Sequence, residues 1–205
     1  MRVSIVGTGY VGLVTGACFA ERGVDVLCVD VDRSKVEAIN ARRAPIHEAG
    51  LPALLERHAG TRLRATTDLA AAVAETDVTF IAVGTPAVNG RIDLRYVERA
   101  ASEIGAALRV KRAWHAVVVK STVIPGTTDG PVLWRLEEAS GKRAGRDFGL
   151  GMNPEFLTEG QAVADFLAPD RIVLGALDAR THELLQELYA SFAGTPKIVC
   201  NTRTA

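Results

Sequence analysis

The 205-residue sequence predicts an α/β fold, a doubly wound, mostly parallel sheet of about eight strands with helices on both faces. Three observations carry this. Short β-branched runs alternate with longer amphipathic segments, as parallel strands and crossover helices do. The first run opens directly on the glycine turn Gly7-Thr-Gly9-Tyr-Val-Gly12. A second apolar run ends on a carboxylate, Asp30, eighteen residues beyond Gly12.

In chain order, strands are expected at residues 3–6, 25–29, 62–65, 78–83, 116–120, 149–152, 171–174 and 197–200, each rich in Val, Ile, Leu or Phe or in small apolar residues. Helices are expected between them at 10–22, 34–41, 51–58, 69–74, 94–108, 131–139 and 179–192, where apolar residues recur at helical spacing. Asp68 and Asp93 stand where an N-cap belongs, and Gly141 and Gly194 just past helix ends. No repeat or low-complexity stretch interrupts residues 1–205, which read as one dinucleotide-binding unit.

The glycine turn has the Rossmann-type spacing. Gly7 permits the tight turn out of the strand, Gly9 leaves room for a pyrophosphate, and Gly12 allows close helix packing. The helix start at Tyr10 and Val11 then offers unpaired N–H groups and partial positive charge to the phosphates. Asp30 at a strand end suits ribose hydroxyls and repels a 2′-phosphate, so NAD is expected over NADP, with Arg33 and Lys35 nearby as a counter-signal.

Composition narrows the partners. Lys and Arg total 24 against 24 Asp and Glu, so no net field draws nucleic acid or an acidic membrane. The basic run 109–112 reads as a helix C-terminus. Cys18, Cys28 and Cys200 lack CxxC spacing and the four histidines form no HExxH, so neither a disulfide framework nor a metal site is expected. Cys18 and Cys28 read as small core residues. With a strand starting at Arg2 and no apolar run near the ~20 residues that span a bilayer, a cytoplasmic protein without a signal peptide is expected.

Ligands of open parallel sheets sit beyond the carboxyl ends of the strands. There the sequence places Gly84-Thr85-Pro86, Lys120-Ser121-Thr122 and Asn153-Pro154-Glu155-Phe156-Leu157-Thr158-Glu159-Gly160, expected to border one cleft. Gly84, Thr85 and Pro86 suit either a cofactor contact or an ordinary turn, and Ser121 and Thr122 either a hydroxyl near the nicotinamide or a helix cap. If a helical turn follows Pro154, Glu155 and Glu159 share a face and offer a general base, the alternative being a solvated acidic face. Phe156 and Leu157 would then make an apolar wall that raises a carboxylate pKa. His47 and Glu48 read as solvated loop residues.

Together these motifs, with Asp30-Val-Asp32-Arg-Ser-Lys35 and Lys120-Ser-Thr-Val-Ile-Pro-Gly-Thr127, closely resemble the N-terminal cofactor domain of the UDP-glucose/GDP-mannose dehydrogenase family over essentially the whole chain. The stretch 165–175, Asp165-Phe-Leu-Ala-Pro-Asp-Arg-Ile-Val-Leu-Gly175, looks more like the UDP-glucose branch. Ala49 stands where a proline is usual. The resemblance implies oxidation of a nucleotide sugar's C6 alcohol to a carboxylate with two NAD in succession, through a thiohemiacetal and a thioester on a cysteine.

It further implies that Asp30, Lys35, Thr85 and Thr122 contact NAD and that Thr122 positions water or the sugar oxygen. Glu159, beside the cofactor, assists proton removal and hydrolysis, and Glu155-Phe156-Leu157 line the sugar pocket. The family's substrate lysine, asparagine and cysteine nucleophile lie beyond the stretch matched here. The resemblance therefore implies that residues 1–205 bind NAD without completing the oxidation, and that the full-length form is a homodimer. UDP-glucose is the expected substrate. A dehydrogenase for GDP-mannose or a UDP-amino sugar, and a stand-alone NAD-binding regulatory module, are the alternatives.

Overall fold

The computed structural model describes all residues from Met1 to Ala205. The main sheet comprises β1 (Arg2–Val6), β2 (Asp25–Val29), β3 (Leu63–Thr66), β4 (Val78–Ile81), β7 (Ala116–Val119), β8 (Gly149–Met152), β9 (Ile172–Ala176) and β10 (Lys197–Cys200), while β5 (Ala87–Val88) and β6 (Arg91–Ile92) form a small hairpin. The helices are α1 (Tyr10–Glu21), α2 (Arg33–Asn40), α3 (Leu51–His58), α4 (Leu69–Glu75), α5 (Arg95–Val110), α6 (Leu133–Ser140), α7 (Ala162–Leu167) and α8 (Ala179–Leu188).

The strand order is β3-β2-β1-β4-β7-β8-β9-β10, parallel except where β9 meets β8 antiparallel, so β9 and β10 run against the rest. The order reverses between β1 and β4, and a crevice necessarily opens beyond their carboxyl ends. β1, β4 and β7 are buried almost throughout, as strands covered on both faces must be. One core packs α1, α3, α7 and α8 on one face through Phe19, Leu55, Phe166 and Leu185; the other packs α4, α5 and α6 through Val73, Ile104 and Leu136.

The eight expected strands and seven expected helices are all present within a few residues. The reading of the elements needs four corrections. The helix α7 was not foreseen, because six residues are too few to display a period. The hairpin β5–β6 was also unforeseen; Asn89 and Gly90 turn it with positive φ. Asp93 is not an N-cap: Leu94 holds that position, and Asp93 instead pairs with the Arg95 guanidinium and amide. Gly194 does not follow a helix end, since α8 stops at Leu188 and the chain continues in turns. Asp68 and Gly141 stand as expected, Asp68 accepting from Ala71 N and Gly141 closing α6 at φ 70°.

Candidate cofactor site

The glycine turn is built by close contacts that leave one face open. Gly7 has φ 98°, and a Cβ there would lie 2.6 Å from the Ala82 carbonyl oxygen, so β1 and β4 leave the sheet side by side. At Gly12 a Cβ would lie 1.9 Å from the Gly7 carbonyl oxygen, making glycine obligatory where α1 folds back on the turn. Gly9 differs: it is the N-cap of α1 at φ −71°, and nothing lies within 4 Å of its Cβ position. No side chain caps α1. Its first-turn amides and dipole are therefore directed at open space, as an anion site requires.

Asp30, just past β2, is tied to this turn. Its Oδ2 accepts from Thr8 N at 2.7 Å and Thr8 Oγ1 at 2.6 Å, and its Oδ1 accepts only from Asp32 N at 3.0 Å. Burial acts to raise the carboxyl pKa, but the hydrogen bonds from Thr8 and Asp32 and the nearby Lys35 ammonium outweigh it and hold it below the usual range. The result is an ionised carboxylate with one oxygen committed to the turn and the other retaining acceptor capacity.

A crevice of about 380 Å³ opens here, lined by Gly9, Asp30, Lys35, Gly84 and, from α5, Tyr96 and Arg99. The α5 contribution escaped the sequence reading. Its signal was the stripe Tyr96, Arg99 and Glu103 at helical spacing, in which Arg99 and Glu103 pair at 2.8 Å.

Beyond Gly84 the loops after β4 and β7 are laced together. Thr85 Oγ1 donates to the Thr122 carbonyl at 2.8 Å, and Ser121 Oγ to the Val83 carbonyl at 2.7 Å. Pro86 accepts from Asp93 N and closes the base of the hairpin. Thr122 is exposed.

The segment 153–160 does not form the expected helical turn, because its amides are committed elsewhere. Leu157 N donates to Glu155 Oε2, Thr158 N to Asp165 Oδ2, and Gly160 N to Glu48 Oε2. Glu155 and Glu159 consequently share no helix face, and Glu159 is exposed. The expected apolar wall is also incomplete: Leu157 packs on the core, but Phe156 is about half exposed and lies beneath the Arg171 guanidinium, 4.1 Å from its ring centroid. Glu48 corrects the reading most sharply, being buried rather than solvated.

Tyr10 joins the two halves of the site. Its hydroxyl donates to the Thr158 carbonyl. Burial, the neighbouring Glu48 carboxylate and the charge of Glu159 push its pKa up to about 12.

Residues 1–193 match the model of the UDP-glucose/GDP-mannose dehydrogenase family, NAD binding domain. The chain belongs to this family. The UDP-glucose 6-dehydrogenase of Haloferax volcanii is 51% identical over 203 residues, 97% of this chain and 47% of that protein. The GDP-mannose 6-dehydrogenase of Pseudomonas aeruginosa is 50% identical over 191 residues, 92% of this chain and 44% of that protein. A ternary-complex structure of GDP-mannose dehydrogenase from Pseudomonas aeruginosa superposes with TM-score 0.96 at 47% identity, over 100% of this chain and 47% of the other. A UDP-glucose dehydrogenase from Pyrobaculum islandicum gives 0.93 at 46%, over 99% of this chain and 46% of the other. The chain thus spans just under half the length of these relatives. It is an NAD-binding domain of nucleotide-sugar dehydrogenase type with a Rossmann-like sheet.

In this member of the dehydrogenase family a second cavity, of about 240 Å³, lies behind residues 153–158. Lys120 at its base is buried, donates to Asn153 Oδ1 at 2.9 Å, and has its pKa lowered by burial to about 8 despite the charge of Glu155. Tyr189 donates to the same Asn153 oxygen, and Asn153 Nδ2 to the Val173 carbonyl, which locks β8 to β9 and α8. The cysteines are unpaired; burial pushes both Cys18 and Cys28 up to about 12 and leaves them poor nucleophiles. No His, Cys, Asp and Glu cluster is arranged for a metal, and no helix is long and apolar enough to cross a membrane.

Proposed function

We propose that this chain is the NAD-binding part of a UDP-glucose 6-dehydrogenase, which oxidises the C6 alcohol of UDP-glucose to the carboxylate with two NAD in succession. The carrying observation is the crevice in which the remaining acceptor capacity of Asp30 and the uncapped start of α1 flank Gly9, whose Cβ position is empty. That geometry fits a dinucleotide: Gly7 and Gly12 shape the turn, the α1 start at Tyr10 and Val11 receives the pyrophosphate, and Asp30 and Lys35 take the adenosine ribose. Gly84, Thr85, Pro86, Ser121 and Thr122 wall the nicotinamide side. Bound NAD supplies the hydride acceptor.

In this reading Thr122 orients water or the sugar oxygen, Glu159 holds and moves a proton next to the cofactor, and Glu155, Phe156 and Leu157 line the sugar. Substrate-binding residues and a cysteine nucleophile come from the remaining half found in the longer relatives, within a homodimer. Three free thiols suit a reducing cytoplasm. GDP-mannose is the second reading, favoured by the 0.96 superposition on a GDP-mannose dehydrogenase.

Calorimetric titration tests the first claim: NAD binds the 205-residue chain, and absence of binding refutes the assignment. Turnover assays with UDP-glucose and GDP-mannose, reading the C6 carboxylate by mass spectrometry, test the second. Residues 1–205 alone give no steady-state oxidation of either sugar, and the full-length protein oxidises UDP-glucose. Preference for GDP-mannose overturns the substrate, and sustained oxidation by the 205-residue chain overturns the need for the other half.

A further inference from the structure

Glu159 is an exposed side chain on an immobilised backbone. Thr158, before it, is held at both ends, its N–H by Asp165 and its carbonyl by the Tyr10 hydroxyl. Gly160, after it, donates its N–H to Glu48 Oε2 at 2.9 Å, while Glu48 Oε1 accepts from Ala162 N at 3.0 Å and so caps α7. Glu48 lies in the loop between α2 and α3, more than a hundred residues away in sequence, and is only 2% exposed. It takes part in none of the ion pairs of the structure.

A buried carboxylate without a counter-charge is costly, and backbone amides are the partners that offset the cost. A neutral cap could satisfy Ala162 N alone. A carboxylate that bridges Gly160 and Ala162 does more, because it fixes the turn between Glu159 and α7. The Glu48 loop runs close to α7, since a Cβ added at Gly50 (φ 81°) would lie 3.3 Å from Val163 Cγ1. Tyr10, whose hydroxyl reaches the same turn, is the first residue of α1. The helix start facing the open crevice and the turn bearing Glu159 are therefore one mechanical unit.

We propose that Glu48, with Tyr10, is a positioning residue for the dehydrogenase reaction: it holds the 158–162 turn so that Glu159 is fixed relative to the start of α1. The proposal rests on the functional reading above. Glu48 acts through the backbone and lines neither the crevice nor the second cavity, so its loss acts on the rate constant and not on cofactor affinity.

The test uses the full-length protein with Glu48→Gln and Tyr10→Phe. A glutamine keeps the shape but presents an N–H to one of the two donors. Glu48→Gln should lower kcat about 10–100-fold, the scale of a displaced reacting group, with KM for NAD within about threefold. Hydrogen exchange at the Gly160 and Ala162 amides should accelerate while Ala72 N in α4 is unchanged, and the Tyr10 phenol should ionise below its value of about 12. Tyr10→Phe should lower kcat in the same direction, and the double variant should lose less than the product of the two singles.

Unchanged exchange in Glu48→Gln, or wild-type kcat despite faster exchange, overturns the proposal. Should Glu48→Gln fail to melt cooperatively, Tyr10→Phe, which removes a single hydroxyl, decides it: wild-type kcat there overturns the proposal. A wild-type protein that oxidises neither UDP-glucose nor GDP-mannose refutes the functional reading instead, a result distinct from a rate loss confined to the variants.

Discussion

Replacing Gly9 and Gly12 separately by alanine should divide binding from folding, although the two glycines belong to one turn. At Gly12 the new Cβ would sit 1.9 Å from the Gly7 carbonyl oxygen and 3.2 Å from the Ala82 Cβ, so the backbone must move. Overpacking of this kind costs about 1–3 kcal/mol and more against backbone, while alanine's helix propensity returns at most about 1 kcal/mol. A net loss of about 2 kcal/mol lowers Tm by roughly 4–8 °C in a domain of this size. At Gly9 the backbone, φ −71° and ψ −167°, suits any residue, and no atom lies within 4 Å of the new methyl. Stability should change by less than about 0.5 kcal/mol. The methyl would nonetheless stand where the proposed function puts the pyrophosphate, and loss of one charge-assisted hydrogen bond costs about 1.5–3 kcal/mol, roughly 10- to 150-fold in Kd. Differential scanning calorimetry and NAD titration of both variants measure this. Wild-type affinity in Gly9→Ala, or an unchanged melt in Gly12→Ala, refutes the reasoning.

Asp30→Ala should weaken NAD binding by about 1.5–3 kcal/mol, and because Thr8 loses both of its bonds to Oδ2 the turn should also exchange its Thr8 amide faster. The folded Asp30 carboxyl titrates below the unfolded one, so its contribution to stability is complete above about pH 3.9 and is lost as pH falls through the folded value; chemical denaturation across that range should show a shallower acid limb in the alanine variant. His115 behaves as a buried neutral base. Burial lowers its pKa to about 3, so the unfolded chain takes up its proton first and stability falls as pH drops from about 6.5 toward that value. Its Nδ1 meets the Thr76 carbonyl, which only accepts, so nitrogen NMR at pH 5 should find a neutral ring protonated on Nδ1; an imidazolium there would be the contrary result. A thiol reagent should modify the native protein only at the partly exposed Cys200, with Cys18 and Cys28 reacting after denaturation; rapid modification of either would contradict their burial.

The glycine turn was legible because much of its geometry is local. Gly7 supplies a positive φ and Gly12 clears the Gly7 carbonyl five residues back, both demands set within the turn, and Asp30 follows at the next strand end; the contact that also bars a side chain at Gly7, with the Ala82 carbonyl, and the open space at Gly9 are set by packing. The Glu155–Glu159 pair misled for the opposite reason. Their i, i+4 spacing reads as helical only while their neighbours' amides are free, and Asp165, Glu48 and Glu155 itself claim those amides. Glu48 read as a solvated loop residue because nothing around His47 and Gly50 reveals partners more than a hundred residues away. The α5 residues Tyr96 and Arg99 were visible as a polar stripe, but which crevice that stripe borders depends on how α5 packs across the sheet.

The sequence by itself determined the fold class, the glycine turn after β1 and most element boundaries, since alternating periodicities and the positive φ of a strand-to-helix turn act over a few residues. Only the tertiary structure decided that β9 and β10 run against the other strands, that α7 exists, and that Glu48 and Tyr10 hold the Glu159 turn. Those outcomes depend on buried hydrogen bonds between segments distant along the chain, where a polar group must find whichever partner the completed packing brings within reach.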